Sequence, residues 1–400
     1  MTGCFLKSPL SRNKPKDPAQ IQPEKTDERL MKPIGILTFH RASNYGAVLQ
    51  AYALQQVISG LGRKAVIVDY RCRTVEEGHR PWGLFKRHRF PIVLFRCLVA
   101  MKKDRIFGAF RRDKLELSQP MQFEDLRGAQ EDYALFVAGS DQVWNNKLSG
   151  MDPAYMLVFA REQQRYSYAC SLGFDAFPEG TKELYREWLS GMQCISLRET
   201  RSVDLMETIG YEARADLDPT LLLDREEWER FMAPANRPEP YIFVYTVDGD
   251  INLLNAAREL SARTGVKILY LNNEYRKNRD IPRVRYSTPE EFVGLFAGAE
   301  YVLTNSFHGT AFSIIFGKKF KVELETVKKF NVRSRDLLMN CGLQDCVLKN
   351  TEEDYNFSAD LNEAQRRLGL LRRRSADYIK LIAERADQIE KESVLNESRE

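Results

Sequence analysis

The 400-residue chain is 43% hydrophobic with a formal net charge of only +4, a balance that excludes a disordered polyelectrolyte and gives no general drive towards nucleic acid. No apolar run approaches the roughly 18 residues of a membrane span, and the first residues lack the apolar core of a secretion signal, so a cytoplasmic protein is expected. The length exceeds one ordinary core, and short apolar strands alternating with helical patterns predict an α/β fold in two domains. The seven Cys are scattered, with no CxxC pair and no metal-ligand spacing, as expected of reduced, buried thiols, and no metal site is predicted.

Residues 1–30 are polar and rich in Lys and Pro without periodicity, which predicts a disordered leader or sequence upstream of a natural start at Met31. IGILTF from Ile34 is a buried strand. HRASNYGAVLQAYALQQVISGLG then places Ser43 or Asn44 to cap a helix whose Val48, Ala51, Leu54, Ile58 and Leu61 form one stripe. KAVIVDY (Lys64 to Tyr70) completes a βαβ unit that pairs in parallel, with its ligand side at the carboxyl ends of the strands. The loop from His40 to Tyr45 lies at such an end, so Arg41, Asn44 and Tyr45 are either contacts for a bound substrate or simply the start of a capped helix. It lacks the glycines of a dinucleotide site.

Within residues 80–114, Lys86 to Lys114 holds ten Lys or Arg against two Asp, interleaved with large apolar side chains. Such a segment is either a helix resting on an anionic membrane, each nearby cation contributing about 1 kcal/mol, or a helical excursion whose apolar face joins the core.

Leu135 to Ala138 is another buried strand and ends in GSDQVWNN, which crowds Ser140, Asp141, Gln142, Trp144 and Asn145 at its end. Carboxylate, amides and an indole suit a sugar, whose hydroxyls need paired acceptors and whose CH face stacks on an aromatic ring; the alternative is an Asx-type turn around a packed Trp. Strands are predicted over Arg165 to Ser171, Cys194 to Leu197, and Asp216 to Leu223. The second ends in SLRET, where Arg198 can grip a carboxylate or phosphate, or instead pair with Glu199 or Asp218 as a surface bridge.

APANRPEPY is a Pro-rich linker. The chain therefore divides into a first α/β domain over 31–235 and a second over 236–358. In the second, strands are predicted at Tyr241 to Val247, Val266 to Leu271, Tyr301 to Thr304 and Lys319 to Leu324. Helices are predicted at Ile251 to Thr264, Pro289 to Ala299, Gly309 to Phe316 and Val332 to Cys341. Between the strand at Tyr301 and its helix stands NSFHG, which puts His308, one of only four His, at the positive end of a helix dipole among unpaired amides that suit an anion. Arg333 and Arg335 open the next helix. Over 359–395 a 3,4-spaced stripe from Leu361 to Ile389 predicts one long amphipathic helix that packs across both domains or pairs two chains.

Taken in order, IGILTFHRASNYGAVLQAYAL, VAGSDQVWN, SLRE, DPTLLL and TNSFHGTAFS resemble the polysaccharide pyruvyl transferase family over about residues 31–345. The resemblance implies two Rossmann-like domains facing across a cleft, as in GT-B glycosyltransferases, the first (31–235) on the acceptor side and the second (236–358) on the donor side. It implies transfer of pyruvate from phosphoenolpyruvate, as co-substrate and with no other cofactor, onto a sugar as a ketal. The acceptors it implies are capsule, exopolysaccharide or cell-wall glycans, often on a lipid carrier. His308 and Asp141 then become the acid–base pair, and Arg198, Ser306, Phe307, His308, Arg333 and Arg335 the phosphoenolpyruvate contacts. Several members carry Arg where this chain has Ser306, and Arg333 or Arg335 is expected to replace that charge. A nucleotide-sugar glycosyltransferase and a non-catalytic glycan-binding protein are the alternatives.

Overall fold

The computed structural model describes residues 31–79, 90–237, 239–247, 251–271, 281–284, 286–324, 332–349 and 355–397. The proposed leader, 1–30, lies outside them. In chain order the first half contains β1 (Ile34–Leu37), α1 (Tyr45–Gly60), β2 (Ala65–Ile67), α2 (Arg73–His79), α3 (Phe90–Lys114), α4 (Phe123–Ala129), β3 (Leu135–Ala138), α5 (Asn146–Ser149), β4 (Arg165–Ser167), α6 (Lys182–Trp188), β5 (Ile195–Leu197), α7 (Thr200–Glu207), β6 (Ala213–Ala215) and α8 (Arg225–Phe231). The second half follows with β7 (Tyr241–Tyr245), α9 (Ile251–Thr264), β8 (Lys267–Leu271), β9 (Arg283–Val284), α10 (Pro289–Ala297), β10 (Tyr301–Thr304), α11 (Phe307–Ile315), β11 (Lys319–Val322), α12 (Val332–Cys341) and α13 (Leu361–Glu397).

The first sheet has the order β2-β1-β3-β4, and isolated parallel bridges, Tyr166 with Cys194 and Cys170 with Leu197, carry it on to the β5–β6 pair. The second has the order β11-β10-β7-β8-β9, and every pairing in both is parallel. Strands such as IGIL, LFVA and YVLT are buried along their whole length, as parallel strands covered by helices on both faces must be. The chain is thus α/β with two Rossmann-like sheets. In each the strand order reverses beside the first strand of the half, between β1 and β3 and between β7 and β10, and the loops leaving these strands are where such sheets bind ligands.

The halves are less separate than two independent domains. One hydrophobic cluster runs from Ile34 and Leu49 in the first half through Phe292, Phe296 and Phe312 in the second to Leu368 and Ile382 on α13. Tyr45 makes the join: its ring stacks on Phe292 at 4.2 Å and 1°, and its hydroxyl donates to the Ser287 carbonyl at 2.9 Å. Tyr45 is therefore a structural bolt and not an acceptor contact.

α13 forms as one helix and crosses both halves. Near its start Gln365 donates to the Ile314 carbonyl at the end of α11. Further along, Arg372 donates to the Leu221 carbonyl at 2.8 Å, Ser375 Oγ to Asp216 Oδ1 at 3.0 Å, and Tyr378 to the Ser167 carbonyl at 2.9 Å. Its Ala364, Leu368, Tyr378, Ile379, Ile382 and Ala386 are buried on the same chain, which uses the stripe predicted for either packing or pairing.

α3 divides its residues. Phe107 and Phe110 enter the core against Tyr45, Tyr52 and Phe231, whereas Leu98 and Met101 stay exposed at 58% and 62%. Residues 80–89 lie outside the described residues. Among the described residues no helix is long and apolar enough to cross a membrane.

The segment Asp216 to Leu223 is not a strand. β6 ends at Ala215, and Asp218 caps a 3-10 turn over Pro219–Leu221, its Oδ1 accepting from the Thr220 amide at 3.0 Å. Proline, which cannot donate to a ladder but is pre-set for the first residue of a helical turn, explains the difference.

Candidate active site

Four strand ends converge. β3 delivers Ser140 and Asp141, β5 delivers Arg198 and Glu199, the turn after β6 delivers Asp218, and β10 leads into α11, whose first turn carries His308. The centre is Asp218, almost wholly buried. Its Oδ2 accepts from Arg198 Nη1 at 2.5 Å and from Ser140 Oγ at 3.2 Å, and lies 3.7 Å from His308 Nε2; its Oδ1 accepts from Thr220 Oγ1 at 2.7 Å. A guanidinium from the first half and an imidazole from the second thus meet on one carboxylate oxygen. Burial alone would raise the Asp218 pKa, but His308, Arg198 and Thr220 together hold the carboxyl far below the usual carboxylate range.

Arg198 is oriented by that bond and by the Phe307 ring, whose centroid is 5.1 Å from its guanidinium carbon. Its side chain is only 2% exposed, and Nε and Nη2 have no hydrogen-bond partner. These two nitrogens form the edge of the fork that grips carboxylates and phosphates bidentately. Around that edge stand Asp141 Oδ1 and Glu199 Oε1, each at 3.9 Å, beyond bonding distance. Burial costs Arg198 charge stability, yet the neighbouring carboxylates raise its pKa above the ordinary value, so it stays a cation.

Arg333 also stands near Phe307, its guanidinium carbon 5.7 Å from the ring centroid and its Nε 3.9 Å from the same Glu199 Oε1 that neighbours Arg198. Burial and the Arg198 charge push its pKa down to about 10. Two cations so near that one lowers the other's pKa is an arrangement that an anion would relieve. Arg335, two residues on, is exposed and takes no part among these contacts.

Ser306 caps α11, its Oγ accepting from the Gly309 amide at 3.4 Å, which leaves the first-turn amides directed at the same region. His308 Nε2 is buried without a hydrogen-bond partner. Its ring lies against Gly46 on the first turn of α1: a Cβ built there would sit 2.1 Å from Nδ1. Gly46 is therefore required for the imidazole to reach Asp218. The sequence reading passed it over, although a glycine in the first turn of an otherwise well-packed helix is itself a sign of close approach.

The acceptor set predicted around GSDQVWNN is only partly in place. Trp144 is fully buried, its Nε1 donating to the Tyr155 carbonyl at 2.8 Å, so it is core and no sugar platform. Asn145 caps α5, its Oδ1 accepting from the Lys147 amide, and its Nδ2 donates to Gln142 Oε1 at 2.7 Å. Ser140 is spent on Asp218. The packed-Trp alternative holds for these three. Asp141 adopts φ 78°, uncommon without glycine, held by the Ser171 amide bonding its carbonyl at 2.9 Å and by its own Oδ1 accepting from the Gln142 amide. Of the other loop, Asn44 caps α1 and Arg41 belongs to a separate cluster, bonding Asp69 at 3.1 Å alongside His40 and also Glu76. Neither is free to hold an acceptor here.

Gln142 and Glu199 line a narrow recess of about 20 Å³, together with Phe174, Asp175, Arg201 and Arg333. Among the described residues no three metal-ligating side chains converge.

No curated protein matches the sequence significantly. Similar solved structures include a putative UDP-N-acetylglucosamine 2-epimerase from Listeria monocytogenes (11% identity, 84% of this chain and 94% of that one, TM-score 0.45) and the UDP-GlcNAc 2-epimerase from Neisseria meningitidis bound to UDP-GlcNAc (10%, 92% and 100%, 0.45). A spinosyn rhamnosyltransferase is similar at 12% identity over 90% of this chain and 100% of that one, with a TM-score of 0.42. At such scores the architecture rests on the chain's own two sheets. The sequence is decisive: a family model for polysaccharide pyruvyl transferase matches residues 44–320, spanning the Gly46 helix start, Asp141, Arg198, Asp218 and His308, and the chain belongs to the polysaccharide pyruvyl transferase family.

Proposed function

We propose that this pyruvyl transferase takes its pyruvate from phosphoenolpyruvate, without metal or other cofactor, and sets it as a cyclic ketal on a capsule, exopolysaccharide or cell-wall glycan. The observation that carries the reading is the buried, unbonded Nε/Nη2 edge of Arg198 beside an equally unbonded His308 Nε2. In the reaction one sugar hydroxyl adds to C2 of phosphoenolpyruvate as C3 takes a proton. The phosphate then leaves, and a second hydroxyl of the same sugar closes on C2 as it loses its proton. The products are the ketal and inorganic phosphate. His308, its Nε2 3.7 Å from the Asp218 carboxylate, serves as the proton donor. Asp141, beside Arg198, is suited to accept a hydroxyl proton. The first turn of α11 and Arg333 supply donors for the phosphate.

Incubation with phosphoenolpyruvate and a glycan should release phosphate and raise the acceptor's mass by pyruvate less water. Turnover of nucleotide sugars without phosphate release from phosphoenolpyruvate would overturn the reading. Because Arg333 faces Arg198 and Arg335 faces solvent, Arg333→Ala should raise KM for phosphoenolpyruvate at least tenfold, the equivalent of about 1.4 kcal/mol, with a smaller change for the glycan. Arg335→Ala should leave both near wild type.

The segment 86–114 supports peripheral contact with an anionic membrane, where a polyprenyl-linked acceptor would lie: exposed Leu98 and Met101 stand among exposed Lys102, Arg105 and Arg112. Flotation with anionic vesicles at low salt should carry the protein upward, and Lys102→Glu with Arg105→Glu should abolish it. Equal flotation of that variant would remove α3 as the contact.

A further inference from the structure

The unbonded edge of Arg198 stays open because of what holds its neighbour in the chain. Glu199 is buried, and its Oε1 lies 3.9 Å from Arg198 Nε and 3.9 Å from Arg333 Nε, roughly 1 Å beyond charge-assisted bonding distance to either. A carboxylate beside two buried guanidinium groups would be most stable bonded to one of them, so its position needs a restraint. Ser171, fully buried after β4, supplies it by donating its hydroxyl to that same Oε1, while Ser202 Oγ donates to Oε2 at 3.4 Å. The Ser171 amide also donates to the Asp141 carbonyl at 2.9 Å. Asp141 Oδ1 accepts from the Gln142 amide at 2.8 Å and stands 3.9 Å from Arg198 Nη2. One serine thus anchors both residues whose carboxylates face the fork, and both carboxylates stop short of it.

We infer that Glu199 is a positioning residue that competes with the incoming anion for Arg198 and Arg333, and that Ser171 limits its reach so that the anion prevails. The inference rests on the proposed reaction and deepens it, naming what sets the affinity for the donor and the departure of phosphate. In the resting site the Glu199 carboxylate holds together two guanidinium groups that repel each other. Two opposed effects follow. As a fixed negative charge near both Nε atoms, Glu199 repels any anion bound at the fork, which weakens the grip on phosphoenolpyruvate and on the phosphate it leaves behind. That weaker grip favours turnover, because phosphate held by two guanidinium groups with no opposing charge would leave slowly. Released from Ser171, the same carboxylate needs to move only about 1 Å to bond Arg198 Nε and fill the fork itself. Removing the charge should therefore tighten anion binding, and removing its tether should weaken it.

The test measures binding of inorganic phosphate to the full-length protein by calorimetry, with phosphoenolpyruvate in parallel, for wild type and three variants whose fold is checked by thermal unfolding. Glu199→Gln keeps the shape and the Ser171 bond but removes the charge; it should bind phosphate about tenfold tighter and show correspondingly stronger product inhibition. Ser171→Ala keeps the charge but removes its tether, and should bind phosphate about tenfold weaker. In the double variant no charged competitor is left to restrain, so phosphate should bind at least as tightly as to wild type. A residue that only braced the fold would weaken binding when changed and would not rescue Ser171→Ala. Unchanged or weaker binding by Glu199→Gln overturns the inference, as does a double variant as weak as Ser171→Ala, or phosphate binding to none of the four proteins. If Ser171→Ala does not fold, Glu199→Gln decides alone. If phosphate follows the expected pattern while phosphoenolpyruvate neither binds nor displaces it, the donor reading falls and the role of Glu199 stands. If phosphoenolpyruvate binds and turns over while all four proteins bind phosphate alike, the donor reading stands and the role of Glu199 falls.

Discussion

His308→Gln should retain the fold and lower kcat by roughly 10² to 10⁴, the range that a positioned acid–base group contributes. Glutamine keeps a polar group near Asp218 but cannot move a proton, so KM for phosphoenolpyruvate should change much less than kcat. Gly46→Ala offers a second route to the same residue without touching it. In an open helix the added methyl would stabilise α1 by roughly 0.5–1 kcal/mol, yet here it lies 2.1 Å from His308 Nδ1 and must displace the ring. The expected result is a protein nearly as stable as wild type with much lower kcat. A His308→Gln enzyme with wild-type kcat would remove the imidazole from the chemistry, and a Gly46→Ala enzyme with wild-type kcat would show that its position is not critical.

The strands, the helix after Asn44 and the turn around His308 were legible because they depend on local pattern: buried runs such as YVLT, a capping Asn or Ser, and a Gly at the helix end. What the pattern could not show is which way a polar turn faces. GSDQVWNN has the composition of a sugar site, but only the packing of β3 against the loop from Pro153 to Met156 decides that Trp144 turns inward to the Tyr155 carbonyl. The run LLL after Asp-Pro-Thr resembles a strand, and the Asp-Pro pair that converts it into a capped turn is the same feature that aims Asp218 at the site. Arg198 was readable as either an anion ligand or one half of an ion pair. It is paired with Asp218 through Nη1 while its other edge stays unbonded, a distinction between nitrogens that no sequence carries. Arg333 and Arg335 were equivalent on paper, and the rotation of α12 separates them.

Asp218→Asn should be the most destabilising change at the site. It leaves the Arg198 guanidinium buried at 2% exposure without its closest countercharge, and breaking a buried pair by removing one partner costs about 3–5 kcal/mol. Urea unfolding at neutral pH should show that loss. The pH dependence has a definite sign. The folded-state pKa of Asp218 is depressed, so its contribution is complete above the unfolded carboxylate value of about 3.9 and declines as pH falls below it towards the folded value. Asparagine does not titrate. The stability gap between wild type and Asp218→Asn should therefore be constant from pH 7 to about 5 and narrow below about pH 4 by up to roughly 1.4 kcal/mol per pH unit. A gap that stays flat into the acid range would mean that the carboxylate is not held by the cations around it, and the shared oxygen joining Arg198 to His308 could not organise the two halves of the site.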